Sequence, residues 1–365
     1  MAGLSLARFS ILQSSLIRML CAFAPLREIC FPFGRLSVLL LLTLPEASAQ
    51  EPVFAPAVRD PAKIVGSDQC AKCHDKEVQQ WRQTTHFATF DSLHRTQAAK
   101  DIADRLGLPS IKRNDTCLQC HYTQQEQEGR LRIVEGVSCE SCHGGAADWI
   151  TFHADYGGEH VTKAMETAEH RQQRLAQSIA RGMNNPHNVY LIAKQCYNCH
   201  TVPNEKLVNV GGHSAGSTGF ELVAWSQGIV RHNFLRTAGA ANGENSPSQL
   251  RVLYVIGVLA DLEYSLRATA AATERATFGA TSAQRAARMK QRLHEIQALV
   301  NEPLLAPALA AVATVELRLG NKDAVLAAAG EVGKAAYLFA EKADGNWLSA
   351  LDSLLPKPDQ YKNGR

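Results

Sequence analysis

Apolar residues are spread along this chain in three regimes. A short unbroken apolar run, residues 36–44, follows Arg35 near the start. From about Ile64 to Thr237 the chain is not rich in Leu, Ile or Val. Within it, residues 75–82, 167–181 and 189–195 have helical composition and loops carry the rest. A Gly/Asn/Ser-rich piece, residues 238–248, marks a boundary. Beyond it Ala, Leu, Val and Arg dominate, predicting helices at 247–272, 281–300, 303–319 and 321–343 and a short one at 346–355. Thr281 or Ser282 and Asn321 are candidate N-caps, and Pro303 and Gly320 candidate breaks. The expected fold is mainly α, with short helices and long loops followed by a C-terminal helical bundle. The bundle would pack against the preceding region or another subunit.

The first regime reads as a secretory signal. The run after Arg35 is too short to span a bilayer, and Ala47-Ser48-Ala49 offers an A-x-A cleavage site before Gln50. The stretch ahead of the run is long for a signal, which makes Met19 an alternative start. No lipoprotein-type cysteine sits at the cleavage site, and no later apolar stretch has transmembrane length. The expected divisions are therefore a signal peptide at 1–49, a proline-bearing extended arm at 50–63, a central domain at 64–237 and a helical extension at 246–365.

The central regime repeats one motif four times: Cys70-Ala71-Lys72-Cys73-His74, Cys117-Leu118-Gln119-Cys120-His121, Cys139-Glu140-Ser141-Cys142-His143 and Cys196-Tyr197-Asn198-Cys199-His200. Cys-x-x-Cys-His is the attachment signal of c-type haem. On a helical turn both sulfurs and the imidazole face one flat ligand. The sulfurs can form thioethers to the vinyl groups while the histidine supplies an axial nitrogen to the iron. A disulfide or half a zinc ribbon explains one such motif, not four. Four covalent haems would supply the buried apolar mass this region lacks. Gly144 and Gly145, with no Cβ, would let another planar group approach the third motif. The second and third motifs start only 22 residues apart, which favours neighbouring haems.

Cysteine usage agrees. Of ten cysteines, Cys21 and Cys30 precede the cleavage site and the other eight all lie in motifs. No thiol is left for disulfides or thiolate catalysis. Haem is attached to c-type cytochromes outside the cytoplasmic membrane, which with the signal points to a periplasm. The formal charge of +3 and the lack of a basic-aromatic surface give no reason to expect nucleic acid. No GxGxxG or P-loop occurs.

Each motif supplies one axial ligand per iron. After residue 49 the only methionines are Met165, Met183 and Met289, whereas nine of thirteen histidines lie outside the motifs. This balance favours bis-histidine haems, which have lower potentials than His/Met ones.

Residues from about 64 to 234 resemble the tetrahaem cytochrome c554 family, associated with nitrogen-compound oxidation. The resemblance rests on the four motifs, a histidine twelve residues after the first, and Cys-Glu-Ser-Cys-His-Gly with a histidine ten residues on. It implies that His86 lies opposite His200 and His153 opposite His74. Residues 220–232 look like the segment carrying the third partner, which implies His232 opposite His143. In that family the second haem is five-coordinate, open to a small molecule such as NO. This chain departs at Val210-Gly211-Gly212-His213. His213 is a candidate to close the second haem opposite His121, or else a propionate partner or an exchanged ligand. His94, His160, His170 and His187 have no counterpart and are read as propionate contacts or exposed. His170 is read on a solvated helix face, and His294 as surface or core. Trp81, Trp149 and Trp225 are read as haem packing.

The leading expectation is a periplasmic tetrahaem carrier passing electrons between redox protein partners, in nitrogen-compound or related respiratory metabolism. A haem enzyme reducing NO or another small molecule at an open second haem is the alternative. A pentahaem-type nitrite reductase is disfavoured, since there is no CxxCK. A third reading makes the chain a complex subunit, or an oligomer, held through its C-terminal helices to a dehydrogenase or a quinone-linked membrane cytochrome.

Overall fold

None of the four Cys-x-x-Cys-His repeats contains a glycine or proline to interrupt a helical turn, and in the computed structural model all four are helical. The structure describes residues 59–362. The expected signal segment and residues 50–58 of the expected arm lie outside the described residues. The end of that arm, Pro61–Lys63, is a 3-10 turn capped by Asp60.

The first motif lies within α1 (Ser67–Trp81), which kinks at His74 (φ −118°, ψ 40°). Two helices unexpected from composition follow, α2 (Thr85–Ser92) and α3 (Gln97–Arg105), each started by a threonine cap, Thr84 and Thr96. The second motif ends α4 (Asp115–His121), capped by Asn114. A hairpin comes next, β1 (Thr123–Gln127) antiparallel to β2 (Arg130–Glu135), with Gln127 opposite Arg130. Its turn residues, Glu128 and Gly129, both have positive φ (52° and 70°). That turn has the twist two antiparallel strands need. The hairpin takes up the gap between motifs two and three, and Thr123 Oγ1 donates to Gly136 O (2.8 Å) just ahead of the third. The third motif is α5 (Cys139–His143), with Ser138 and Ser141 in a reciprocal cap.

Then come α6 (Ala168–Ala180), α7 (Tyr190–His200), which ends in the fourth motif, and the short α8 (Glu205–Asn209) and α9 (Leu222–Ser226). The extension consists of α10 (Pro247–Ala271), α11 (Thr277–Val300), α12 (Ala306–Ala313) and α13 (Lys322–Lys342), then a 3-10 stretch, Asn346–Ser353. The fold is mainly α, as expected. Three local readings change. α11 begins at Thr277, so Thr281 lies within it and Ser282 is a buried interior residue. α12 stops at Ala313, whose carbonyl accepts from Lys290 Nζ (3.1 Å). Asn321 precedes α13, but its amide donates to Glu316 O (2.8 Å) instead of capping the helix.

α10 is buried without a break from Val252 to Leu266. A helix apolar on all sides has to be surrounded, and α7, α9, α11 and α13 surround it. Tyr190, Ala193 and Tyr197 of α7 belong to the same apolar core. The loop at 238–246 therefore interrupts the secondary structure but not the core, which joins the fourth motif to the extension. Charges inside this core are paired. Arg285 grips Asp261 (2.5 and 3.0 Å), and Glu263 accepts from Arg267 (2.8 Å) and Tyr190 Oη (2.6 Å). Burial raises both carboxyls above their usual range, against the pull of those partners.

Candidate functional site

The eight histidines expected to face haem irons come together in four pairs. Ring centroids lie 6.2 Å apart for His74 and His153, 6.4 Å for His86 and His200, 6.3 Å for His121 and His213, and 6.2 Å for His143 and His232. Each pair joins one motif histidine to one from elsewhere in the chain.

Local structure explains how each distant partner is held. His86 lies on α2, and its carbonyl accepts from Val137 N–H (3.1 Å), which ties that helix to the approach to the third motif. His153 sits in the 3-10 turn Phe152–Ala154, and its carbonyl accepts from Arg174 (2.7 Å). Arg174 is itself fixed by two bonds to Glu166 (2.6 and 2.7 Å). His213 follows a tight turn after α8. A Cβ on Gly211 would stand 2.5 Å from Leu207 O, so only glycine fits there, and Arg105 Nε holds the Gly211 carbonyl (2.8 Å). His232 follows α9 on an exposed loop.

These residues fit the cofactor the motifs imply. A metal–imidazole bond is about 2 Å, and the ring centre lies about 1.1 Å beyond the nitrogen, so two imidazoles sharing one metal ion have centroids about 6 Å apart. Two protein ligands suffice only if the cofactor supplies the remaining coordination, as a porphyrin does. Among the described residues, no three His, Cys, Asp or Glu converge as a bare metal site would require. The tautomers agree. His213 Nδ1 donates to Ser214 O (2.9 Å) and His232 Nδ1 to Val230 O (2.7 Å). A carbonyl can only accept, so the proton is on Nδ1 and the Nε2 lone pair is free to ligate. Burial pushes His121, His143 and His200 down to about 4, with neighbouring imidazoles adding to the effect, and these rings are neutral at ordinary pH.

The cysteines show which motifs adjoin. The thiols of Cys70 and Cys139 lie close enough to interact, which with burial raises Cys70. Cys120 and Cys199 interact likewise, with the same effect on Cys120. Burial pushes Cys142 up to about 12 and also raises Cys117 and Cys196. The first motif thus abuts the third and the second abuts the fourth.

Carboxylates that sequence reasoning passed over hold the first of these contacts. Glu140, between the third motif's cysteines and 1% exposed, accepts from the N–H groups of Val65 (3.0 Å), Gly66 (2.8 Å) and Ala146 (2.8 Å). Glu135 accepts from Ser67 N–H (3.0 Å) and Oγ (2.8 Å) at the start of α1. The signal available was a charged residue inside a motif whose other groups face haem. Gly144 and Gly145 admit polypeptide rather than a flat ligand: a Cβ on Gly144 (φ +85°) would meet Gly182 O at 2.3 Å, and one on Gly145 would meet Lys63 Cβ at 2.8 Å.

The remaining histidines face no motif imidazole. His160, His187 and His294 are exposed, and His94 is half-buried with Nδ1 lacking a partner among the described residues. The expected solvated face around His170 is instead partly internal. His170 Nδ1 meets Glu166 (2.8 Å), and the Glu166 and Arg174 side chains are 1% and 9% exposed. Trp149 meets His153 edge-on (5.2 Å) and Trp225 lies 5.7 Å from His200, while Trp81 donates to Val137 O (2.8 Å).

The family model for cytochrome c554 and c-prime matches residues 69–144, the span of the first three motifs. Cytochrome c-554 of Nitrosomonas europaea is 29% identical over 105 residues, covering 26% of this chain and 44% of that protein. The match therefore spans less than half of that relative's length. No solved structure matches. Among the described residues no helix is long and apolar enough to cross a membrane. Three of the four Cys-x-x-Cys-His helices lie inside the matched segment, and over it this chain is similar to the cytochrome c554 family.

Proposed function

We propose that this protein is a periplasmic electron carrier with four covalently attached haems, each held between two imidazoles: His74/His153, His121/His213, His143/His232 and His86/His200. The observation that carries this reading is the set of four imidazole pairs with centroids 6.2–6.4 Å apart. Haem c, when bound, supplies an iron that alternates between two oxidation states and so carries one electron.

The chain's own groups do the rest. Cys70 and Cys73, Cys117 and Cys120, Cys139 and Cys142, and Cys196 and Cys199 tether the four groups. Two imidazoles on each iron would leave no coordination position open. That favours carriage over catalysis, and His213 closes the centre that is open in the family pattern. Glu140 and Glu135 fix the first motif against the third, and Arg285 donates to the His200 carbonyl (3.2 Å), bracing the fourth. The partners are redox proteins that dock transiently, in nitrogen-compound or related respiratory metabolism.

Intact mass and spin state test this reading together. Protein matured in a competent periplasm should carry four added haems, all low-spin when ferric, and should bind no CO when reduced. Fewer than four groups, or one high-spin iron per chain, would refute it, and the latter would restore small-molecule reduction at His121.

A further inference from the structure

The last described stretch of the extension lies on the loop that carries one of the distal histidines. After the 3-10 turn Pro358–Gln360 the chain is extended at Tyr361 (φ −64°, ψ 137°), which packs on the core shared by α7 and α10. Lys362 then grips the end of α9 with both of its backbone groups. Its N–H donates to Ala224 O (2.9 Å) and its carbonyl accepts from Ile229 N–H (2.7 Å). Ala224 O needs that donor, because the N–H four residues on, at Gly228, goes to Trp225 O instead (3.1 Å). The approach is close enough to require glycine. A Cβ on Gly228 would stand 2.2 Å from Lys362 O and 2.8 Å from Lys362 N.

What Lys362 holds bears on His232. Arg231 N–H donates to Gly228 O (3.1 Å), closing a turn with Ile229 and Val230 at its centre. Val230 O, on that turn, accepts from His232 Nδ1 (2.7 Å). A bond of that kind sets the direction of a ligating ring, and here the ring faces His143 with centroids 6.2 Å apart. Downstream the loop has its own tie, since the Asn242 side chain donates to Arg231 O (2.7 Å) and accepts from Asn233 N–H (2.9 Å). The upstream side rests on Lys362 and, at 3.5 Å, on Gln80 Nε2 donating to Ile229 O.

We propose that residues 358–362 form a strap that positions the distal ligand of the third haem, with Gly228 and the Lys362 backbone as the positioning residues. This rests on the assignment of His143 and His232 to one iron. The strap gives the helical extension a part in haem ligation, although it lies outside the family-matched segment. Without it the turn relaxes, Val230 O no longer aims the imidazole, and His232 releases the iron more readily.

Spin state and CO uptake of the holoprotein test this with changes on either side of the contact. Gly228→Ala puts a Cβ where Lys362 O lies. Lys362→Pro removes the N–H that Ala224 O accepts, and the extended backbone at Tyr361 tolerates a following proline. Loss of an outer-shell partner weakens a metal ligand about 10- to 100-fold. Both ferric variants should therefore show a high-spin signal of up to one quarter of their haem, and once reduced they should take up as much as one CO per chain, where the parent takes up none. Added imidazole should restore the low-spin state. His232→Ala should open the same iron fully, and Gly228→Ala on top of it should open no second one. Arg251→Ala breaks the extension's ion pair with Asp352 (2.6 Å) and should lower the melting temperature with the spin state unchanged, which separates positioning from general loosening. The inference is overturned if either folded strap variant stays wholly low-spin, if the double variant opens more than one iron, or if Arg251→Ala opens one as well. A His232→Ala protein that stays wholly low-spin would instead refute the ligand assignment, and the strap's role with it.

Discussion

Replacing His213 with alanine removes the imidazole that stands 6.3 Å from His121. It leaves the loop itself held, because the bonds from Arg105 to Gly211 O and from residue 213 N–H to Leu207 O (3.2 Å) involve the backbone. The expected effect is one open iron among four. The ferric protein should show a high-spin signal equal to one quarter of its haem, and the reduced protein should take up one CO per chain. Rearrangement cannot hide this. His86 also lies near His121, but its ring pairs with His200, so if it switched it would move the vacancy to another iron and leave the count unchanged. Added imidazole should restore the low-spin state, and His160→Ala, at an exposed site, should change nothing. Spin integration and CO titration of the three proteins decide the matter. If His213→Ala stays wholly low-spin, or if the parent already has the same open quarter, the assignment of His213 is wrong.

Glu140→Ala should strand the N–H groups of Val65, Gly66 and Ala146, and at about 1–3 kcal/mol for each unpaired group it should cost at least about 3 kcal/mol in denaturant unfolding; a loss near zero would mean the first motif is held by other contacts. Hydrogen bonds from Arg174, then His170, lower Glu166 from 4.5 to about 2. Its folded pKa is depressed, so its contribution is complete above pH 4.5 and disappears as pH falls toward 2, and Glu166→Gln should flatten the fall of melting temperature across that window. Arg285→Ala leaves Asp261 buried without its partner and should cost about 3–5 kcal/mol, whereas Arg285→Met with Asp261→Leu should recover most of the loss in the same unfolding assay.

The motif helices and the long helices of the extension were legible in the sequence, because both rest on local pattern. Residues 247–272 read as a helix from composition alone, and α10 ends within one residue of that estimate. The hairpin at 123–135 was missed although its signal was present. Glu128-Gly129 between a Thr/Gln run and Leu131-Arg132-Ile133-Val134 is a two-residue turn flanked by strand formers, but the glutamines mask the alternation. α2 and α3 were missed because their threonine caps precede short, weakly apolar stretches. His86, His153 and His232 came from the family resemblance, and His213 from the place where the chain departs from it; none came from a local rule, since a partner reached through tertiary folding leaves no periodicity. Glu140, Arg174 and Arg285 were illegible for the same reason. Each looks like an ordinary surface charge until the fold shows what it touches.

The shared core of α7 and α10 bears on how this molecule could be shortened. A chain cut at residue 245 would keep every haem-bearing sequence, yet it would turn Tyr190, Ala193 and Tyr197 out to water along one flank of the fourth attachment helix. The added helices serve there as the missing half of a wall, and a minimal carrier trimmed to the motifs would need a substitute surface before its last haem had firm ground.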